Sequence, residues 1–528
     1  MDGADGRVAA RHRALLRGAE SVVSLLDNLG LGRREVRGVT RGTRDRVDDQ
    51  TRVVVVGGGL AGVAAACVLA ERGVSVTLLE KEDYLGGRVG AWTEKLPDGT
   101  PYEMERGFHG FFRQYYNLRN LLRRVDPDLA RLRPLDDYPV LGPDGSMESF
   151  EGLPKTPPLN LMALLRRTQF VSLKDLRGVD QSKARLMLMF DPARTYADHD
   201  EITARTYLDS LNFPERGRQM LFDVFSHSFF NPEAGMSAAE MLMMFHFYFL
   251  GNPEGLVFDV LDEPFSDALW KPFERYLSGL GVDVRLGTSV DSVEQSGHSC
   301  WRVHAGSETF DGEGLVLAVT VPALKSILTA SPALQVAEGL AQSVESLDVT
   351  LPFAVWRLFL DRGANEERYP FAGTAGIGLI DNISLYEKFE GESRRWSMRT
   401  GGSVVELHAY ACPHSDEDAI KEELLDGLHQ LYPELADAEI LHDTWLLRQD
   451  CPSFGPGSHG VRPRVATPFG NVVLAGDFVK MPFPTALMER AASSGMLAAN
   501  HLLDRWDVRG ESLFSIPPRG FMSRLPLR

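Results

Sequence analysis

One stretch limits the fold more than any other. It runs from Arg52 to Glu80 and reads RVVVVGGGLAGVAAACVLAERGVSVTLLE. Its first part, Arg52–Val56, is a strand of β-branched residues, and a strand without polar alternation is buried on both faces. The glycines from Gly57 to Gly62 form a turn. Val63–Arg72 is a helix with small residues on its inner face, ended by Gly73, and Val74–Glu80 is a second buried strand. Val53 to Ala70 is long and apolar enough to imitate a membrane span, but the glycine cluster makes it strand, turn and helix instead. The whole is one β-α-β unit, the start of an α/β fold.

The turn carries G-x-G-x-x-G as Gly57, Gly59 and Gly62, with Ala61 before the last. Alone the pattern is weak. Between a strand and a helix it has the context of a dinucleotide site. Gly57 permits the tight turn, Gly59 lets the backbone approach a pyrophosphate, and Gly62 allows close helix–strand packing. The helix N-terminus offers amide hydrogens and partial positive charge to phosphates. Glu80 ends the second strand, where a carboxylate can accept both ribose hydroxyls. NAD, S-adenosylmethionine and FAD sites share these parts. The residues that discriminate between them come directly after Glu80, in Lys81-Glu-Asp-Tyr-Leu-Gly86-Gly87-Arg88.

A second Gly-Gly-Arg loop at this distance resembles the dinucleotide-binding motif of flavoproteins in the amine oxidase and carotene desaturase superfamily. The resemblance implies a doubly wound, Rossmann-like FAD-binding domain of the GR2 type with an inserted α+β substrate domain. It sets Lys81, Gly87 and Arg88 beside the nucleotide, with Arg88 against the phosphates and flavin. It gives Asp477, in Val472-Val-Leu-Ala-Gly476-Asp477, to the ribityl chain, with Gly476 beside it. The helix starting near Leu487, with Met488 in its first turn, is implied to point its N-terminus at the flavin N1–C2 edge. Val290 is implied to meet the adenine from a strand. FAD is the expected cofactor.

At 528 residues the chain exceeds the roughly 250–300 of a single core, and 44% hydrophobic residues suffice for more than one domain. The expected division is a basic extension over 1–50, FAD-binding segments over 51–150, 271–330 and 451–510, a helical substrate- or membrane-facing insertion over 151–270, a substrate-domain sheet with helices over 331–450, and a tail over 511–528. Leu15 to Leu31 reads either as a surface helix or as a basic element touching anionic lipid. Further expected strands are Val282–Val293, Trp301–Ala305, Gly314–Thr320, Phe353–Leu360, the alternating Val404–Ala411, and Asn471–Ala475. Expected helices are Asp416–Leu431 and Leu487–Trp506. A net charge of -17 argues against nucleic acid as partner. Four scattered cysteines, with no C-x-x-C, fit a reducing compartment, and no metal site can be assembled from the Cys and His spacings. No secretory signal and no spanning helix are read, so the expected location is cytoplasmic with peripheral attachment to a membrane.

Three segments narrow the family. Glu105-Arg-Gly107-Phe108-His109-Gly-Phe-Phe112, Cys451-Pro-Ser-Phe-Gly-Pro-Gly-Ser458 and Ala486-Leu-Met-Glu489-Arg-Ala-Ala492 resemble the isorenieratene synthases, the carotenoid β-ring desaturase/methyltransferases. That resemblance covers about Arg52 to Phe514. It implies conversion of a β-ionone end ring to an aromatic φ ring by desaturation with an intramolecular methyl shift, as in β-carotene to isorenieratene. It places Gly107 and Phe108 at the flavin and makes a carotenoid the substrate. The partners implied are peripheral membrane lipid and an electron acceptor, quinone or oxygen. His109 is the candidate proton acceptor, and Glu489 is a second catalytic candidate, or else it favours the helix dipole or holds Arg490 or a flavin-site water. Phe108, Phe111, Phe112, Tyr115 and Tyr116 either face a cation or simply pack. Arg113 and Arg119 read as structural or flavin-supporting and not as catalytic. Phe225–Phe230 and Met241–Leu250 are a tunnel wall or membrane-dipping surface, or else helical core. Alternatives are an acyclic carotene desaturase or cis–trans isomerase on the same scaffold and, in another class, a redox-silent FAD-containing carotenoid-binding protein.

Overall fold

Four valines side by side build the centre of the molecule. The computed structural model describes residues 32–37, 42–47, 51–135, 137–168, 171, 173–219, 227, 229–297, 299–520 and 523. In it Arg52–Val56 is the middle strand of a five-stranded parallel sheet. The strand order is Asp283–Arg285, Ser75–Leu79, Arg52–Val56, Gly314–Leu317, Val472–Leu474. Parallel strands must be covered on both faces. Helix Leu60–Glu71 does this on one side, and its small residues from Val63 to Ala66 are fully buried. The C-terminal helix Leu487–Arg505 crosses it so closely that a Cβ on Gly495 would lie 2.0 Å from the Ala61 carbonyl oxygen.

A second, seven-stranded sheet stands apart from the first. Its order is Ile440–Arg448, Phe353–Leu360, Ser403–Ala409, Asn382–Leu385, Phe371–Thr374, Val140–Leu141, Met147–Glu148. Helix Glu417–Leu431 covers one face, where Val405, Leu407 and Ala409 pack with Ile420 and Leu424 in a separate apolar core. The other face looks toward the parallel sheet. The chain passes between the two layers several times, so strands distant in sequence meet at one cavity. Arg34–Arg37 pairs antiparallel with Ser512–Ser515, tying the two ends of the described chain together. No helix among the described residues is long and apolar enough to cross a membrane.

Several expectations change. The first helix starts at Leu60, because only Gly57–Gly59 are needed for the turn. Val282–Val293 is not one strand. It divides into Asp283–Arg285 in the parallel sheet and Ser292–Gln295 in a three-stranded meander with Trp301–Ala305 and Glu308–Gly312. Between them the Gly287 and Thr288 amides donate to the Glu82 and Glu80 carbonyls, which pulls the backbone out of strand geometry. Val290 therefore lies on a loop. Ser403–Ala409 alternates in sequence but is buried on both faces. Met241–Leu250 is core: helix Ala238–Phe245 continues into one wide turn, His246–Leu250, and of Met241–Leu250 only Tyr248 reaches the cavity. Leu15–Leu31 and residues 225, 226 and 228 lie outside the described residues, whereas Phe229 and Phe230 line the cavity.

Candidate functional site

A single cavity of about 400 Å³ runs from the glycine turn to a chamber walled by aromatic rings. Its nucleotide end is lined by Gly57, Gly59, Ala61, Glu80, Lys81 and Gly87. Gly57 has φ +105, and a Cβ there would lie 2.3 Å from the Ala318 carbonyl oxygen. Gly62 does not line the cavity: its Cβ would stand 1.8 Å from the Gly57 oxygen, so it is glycine for helix packing. Gly59 differs from both. Its backbone is ordinary for any residue (φ -74), and a Cβ would meet nothing nearer than 3.8 Å. No protein atom demands glycine there; the space it leaves belongs to the cavity. This fits a dinucleotide whose phosphates approach the backbone at that point.

The Glu80 carboxylate accepts from the Gly58 amide at 2.6 Å and the Glu82 amide at 2.9 Å. Burial pushes its carboxyl pKa up against these two hydrogen bonds. Val290 lines the same end from its loop, beside Thr288 and Ser289. Arg88 pairs with Asp477 at 2.5 Å, and both face the cavity. Next to them, Gly476 donates its amide to Ser494 Oγ at 2.8 Å. Helix Leu487–Arg505 begins with no side-chain cap at Ala486, and Leu487 and Met488 line the cavity. Its first-turn amides carry the partial positive charge that suits an electron-rich group. Leu487 holds φ +48, a conformation costly for a branched side chain and characteristic of functional sites.

The ring-lined chamber begins at Phe108; Gly107, expected at the flavin, does not line it. Gly107 has φ +97, and a Cβ would fall 2.8 Å from His408 ring atoms. The family resemblance implies close approach to a flavin; in this structure the residue requiring glycine is His408. Phe108 stacks on Phe371 at 4.4 Å and meets Phe258 edge-on at 5.8 Å. Phe112 and Tyr115 line the chamber, whereas Phe111 and Tyr116 do not. His109 lines it too, and its Nδ1 donates to the Gly107 carbonyl at 2.7 Å, leaving Nε2 as the acceptor nitrogen. Burial lowers the His109 pKa to about 4. Arg113 and Arg119 both turn to Asp259.

Glu489 does not line the cavity. Its carboxylate accepts from the Asn117 amide (2.9 Å), Asn117 Nδ2 (2.7 Å) and the Leu118 amide (2.8 Å), capping helix Tyr116–Leu122. It thus joins the first turn of one helix to the first turn of another. Burial pushes its pKa up to about 8.

Sequence reading missed the polar wall of the chamber. His408, Tyr410, Asp381 and Asn382 line it. Behind them Glu406 is fully buried, with Arg357 at 2.7 Å and His408 Nε2 at 2.7 Å, and it also accepts from the Phe108 amide at 2.9 Å. Burial opposes charge on Glu406, but Arg357 and His408 hold its pKa down to about 2. Glu105, 3.6 Å from the same arginine, is pushed up to about 8 by burial. The available signal was Val404-Val-Glu406-Leu-His408-Ala-Tyr410, where a polar group takes every second position of an otherwise apolar strand.

The family model described as flavin containing amine oxidoreductase matches residues 60–503, and one described as pyridine nucleotide-disulphide oxidoreductase matches residues 12–96. A carotenoid phi-ring synthase from Streptomyces griseus is 46% identical over 473 residues, spanning 89% of this chain and 91% of its own. A carotenoid phi-ring synthase from Chlorobaculum tepidum is 28% identical, spanning 91% and 92%. A zeta-carotene desaturase from Synechocystis is 26% identical, spanning 86% and 97%. Among solved structures, a putrescine oxidase variant superposes with a TM-score of 0.62 at 16% identity, covering 86% of this chain and 99% of its own. The cyclohexylamine oxidase of Brevibacterium oxydans gives 0.60 at 17%, covering 86% and 99%. At these identities the structures share the fold.

Proposed function

The chain belongs to the flavin-containing amine oxidoreductase family, and on that footing we propose that it converts carotenoid β-ionone end rings into aromatic φ rings. It is an FAD-dependent carotenoid oxidoreductase, with β-carotene or a related carotenoid as substrate. The observation that carries the reading is the continuity of the cavity. The glycine turn at one end opens without a break onto a chamber of Phe108, Phe258, Phe371 and Tyr138 at the other. A hydrocarbon ring has little to offer hydrogen bonds, and an apolar chamber suits it.

Bound FAD supplies a hydride acceptor, so two rounds remove the four hydrogens that separate a β ring from an arene. The chain's residues do the rest. Gly57, Gly59, Ala61, Glu80, Lys81, Gly87 and Val290 would hold the adenosine and phosphates, with Gly62 closing the turn behind them. Arg88, Gly476, Asp477 and Met488 would hold the flavin end, where the helix start at Leu487 favours negative charge. Phe108 would form the boundary between flavin and substrate, with Gly107 behind it against His408. The faces of Phe108, Phe371 and Phe258 stabilise positive charge on the ring while a methyl group migrates. His109 keeps one acceptor nitrogen in the chamber. Because the methyl never leaves the substrate, no external methyl donor is required.

A carotenoid has to be collected from a membrane, and we assign peripheral attachment to helix Leu159–Arg167. Leu159 and Met162 are more than half exposed on one of its faces, and Arg166 and Arg167 stand in its last turn. Apolar side chains above a basic rim suit an anionic lipid surface. Quinone and oxygen both remain as terminal electron acceptors.

The test is a reaction of FAD-loaded protein with β-carotene in liposomes, with products weighed by mass spectrometry. Loss of four hydrogens per converted ring, all carbons retained, is the expected result. Unchanged β-carotene alongside desaturated acyclic carotenes overturns the ring assignment in favour of an acyclic desaturase. Tight carotenoid binding without any flavin bleaching points to a redox-silent carrier.

A further inference from the structure

The ring chemistry releases protons as well as hydride. Each two-electron oxidation breaks two C–H bonds. One hydrogen leaves with its electron pair to FAD. The other leaves as a proton, and its electron pair stays in the ring. A proton acceptor is needed in an otherwise apolar chamber.

The short hydrogen bonds of the polar wall share one direction; the Phe108 amide, 3.3 Å from His408 Nε2, makes its closer bond to Glu406 at 2.9 Å. Glu406 is a carboxylate, held so by Arg357, and can only accept. His408 Nε2, at 2.7 Å, must therefore carry hydrogen and donate to it. That leaves His408 Nδ1 as an acceptor, 3.0 Å from the Tyr410 hydroxyl. Asn382 Nδ2 donates to the same hydroxyl oxygen at 2.6 Å, so Tyr410 is free to point its own hydrogen at His408. Tyr410 and His408 line the cavity, and Glu406 lies buried behind them. The arrangement repeats the logic of a hydroxyl, an imidazole and a carboxylate in line.

We propose that Tyr410, His408 and Glu406 form a relay that takes up the proton lost by the carotenoid ring, with Tyr410 as the group touching substrate. The inference rests on the carotenoid reading above. As the ring C–H bond breaks, its proton moves to Tyr410 Oη, and the Tyr410 hydroxyl proton passes to His408 Nδ1. The imidazolium so formed keeps its Nε2 hydrogen on Glu406, making a neutral ion pair. His408 and Glu406 are positioning residues; Tyr410 is the catalytic one. Other charged groups frame the relay. Asp381 accepts from the Tyr410 amide (2.6 Å) and pairs with His227 (2.7 Å), Tyr386 donates its hydroxyl to Glu406 at 3.0 Å, and Glu105 stands beyond Arg357. His109 is the competing base. Its hydrogen bond among the described residues goes to the Gly107 carbonyl, so a proton on Nε2 gains no adjacent carboxylate.

The experiment is a single turnover of FAD-loaded full-length protein, in excess over β-carotene in liposomes, under anaerobic conditions with a soluble quinone supplied to reoxidise the flavin between the two oxidations, following arene formation by rapid quench. Tyr410→Phe is expected to retain flavin content and β-carotene affinity and to form arene about 100-fold more slowly, the scale of a lost general base. Fluorinated tyrosines placed at position 410 keep the hydroxyl and the packing. With them the rate should track hydroxyl acidity, and His408→Gln should flatten that dependence. A Tyr410→Phe rate within about threefold of the unmodified protein, or a flat fluorotyrosine series, overturns the relay. Loss of the rate in His109→Gln alone moves the base to His109 and overturns it as well. Failure of the unmodified protein to aromatise β-carotene overturns the underlying reading, and that outcome is separate because it needs no variant.

Discussion

Gly59 and Gly62 stand three residues apart and are glycine for different reasons. Gly62 is compelled by the protein, since a Cβ would sit 1.8 Å from the Gly57 carbonyl oxygen. Gly62→Ala should therefore cost more than the usual 1–3 kcal/mol of overpacking and leave little folded protein. Gly59 is not compelled, so Gly59→Ala should fold and even gain about 0.4–1 kcal/mol by restricting the unfolded chain. The same methyl would obstruct a phosphate approaching the backbone, and FAD affinity should fall at least about tenfold, or about 1.4 kcal/mol. Thermal melts without added flavin and fluorescence titration with FAD separate the two effects. Unchanged FAD affinity in Gly59→Ala would remove the phosphates from that position. These glycines are legible from sequence because a local turn needs them. Gly107 is legible only as a glycine; that His408, far along the chain, stands against it depends on how two sheets meet.

Elements are legible where their pattern is self-contained. Arg52–Val56, Trp301–Ala305 and Phe353–Leu360 have the bounds their β-branched and aromatic runs imply. Val282–Val293 misleads because the amides that break it bond to Glu80 and Glu82, outside any local window. Ser403–Ala409 shows true alternation, but its second face meets the cavity wall instead of water. Helix Leu487–Arg505 shows how an element redirects a residue. Glu489 faces away from the cavity and holds the start of helix Tyr116–Leu122. Glu489→Ala would leave the buried Asn117 and Leu118 amides without their acceptor, while Asn117 Nδ2 keeps Ser493 and Phe514, and should lower stability by about 3 kcal/mol, given about 1–3 kcal/mol per unsatisfied group. Hydrogen exchange across residues 116–122 should rise, while turnover per bound flavin stays within about threefold, below the 100-fold of a lost general base. Lost turnover with unchanged exchange would return Glu489 to the chemistry. The lipid-facing role of helix Leu159–Arg167 is tested at the same scale. Leu159→Glu together with Met162→Glu should weaken sedimentation with anionic vesicles at least about tenfold, because each apolar side chain contributes about 1.5–3 kcal/mol when buried. Turnover of detergent-solubilised carotenoid should be unchanged; unaltered sedimentation would move the contact to another surface.

At the scale of the whole molecule, the flavin family and its parallel sheet are legible from a handful of motifs, but the chamber is not. Its polar wall comes from a strand more than 300 residues beyond the glycine turn, and no periodicity announces which strand will face which. The same long-range burial leaves a mark on stability. His246 is 1% exposed, donates Nε2 to the Pro517 carbonyl at 2.9 Å, and has no partner for Nδ1 among the described residues. Burial lowers its pKa to about 4, against about 6.5 in an unfolded chain. Between those values the unfolded chain binds more protons, so this group's contribution to stability rises with pH and is lost as pH falls from 6.5 toward 4. Its full size is about 3 kcal/mol. Glu105 and Glu489, both pushed up to about 8, act with the opposite sign between about 4.5 and 8. The net curve therefore hides each component, and a difference between two proteins isolates one. His246→Gln keeps a donor for Pro517 and removes the titration. It should melt below the unmodified protein at pH 7.5, and the gap should close or reverse by pH 5, because only the unmodified protein then has to exclude a proton its unfolded chain binds. A gap that stays constant from pH 7.5 to 5 would mean that His246 accepts a proton in place, and that the core around it opens to water without unfolding.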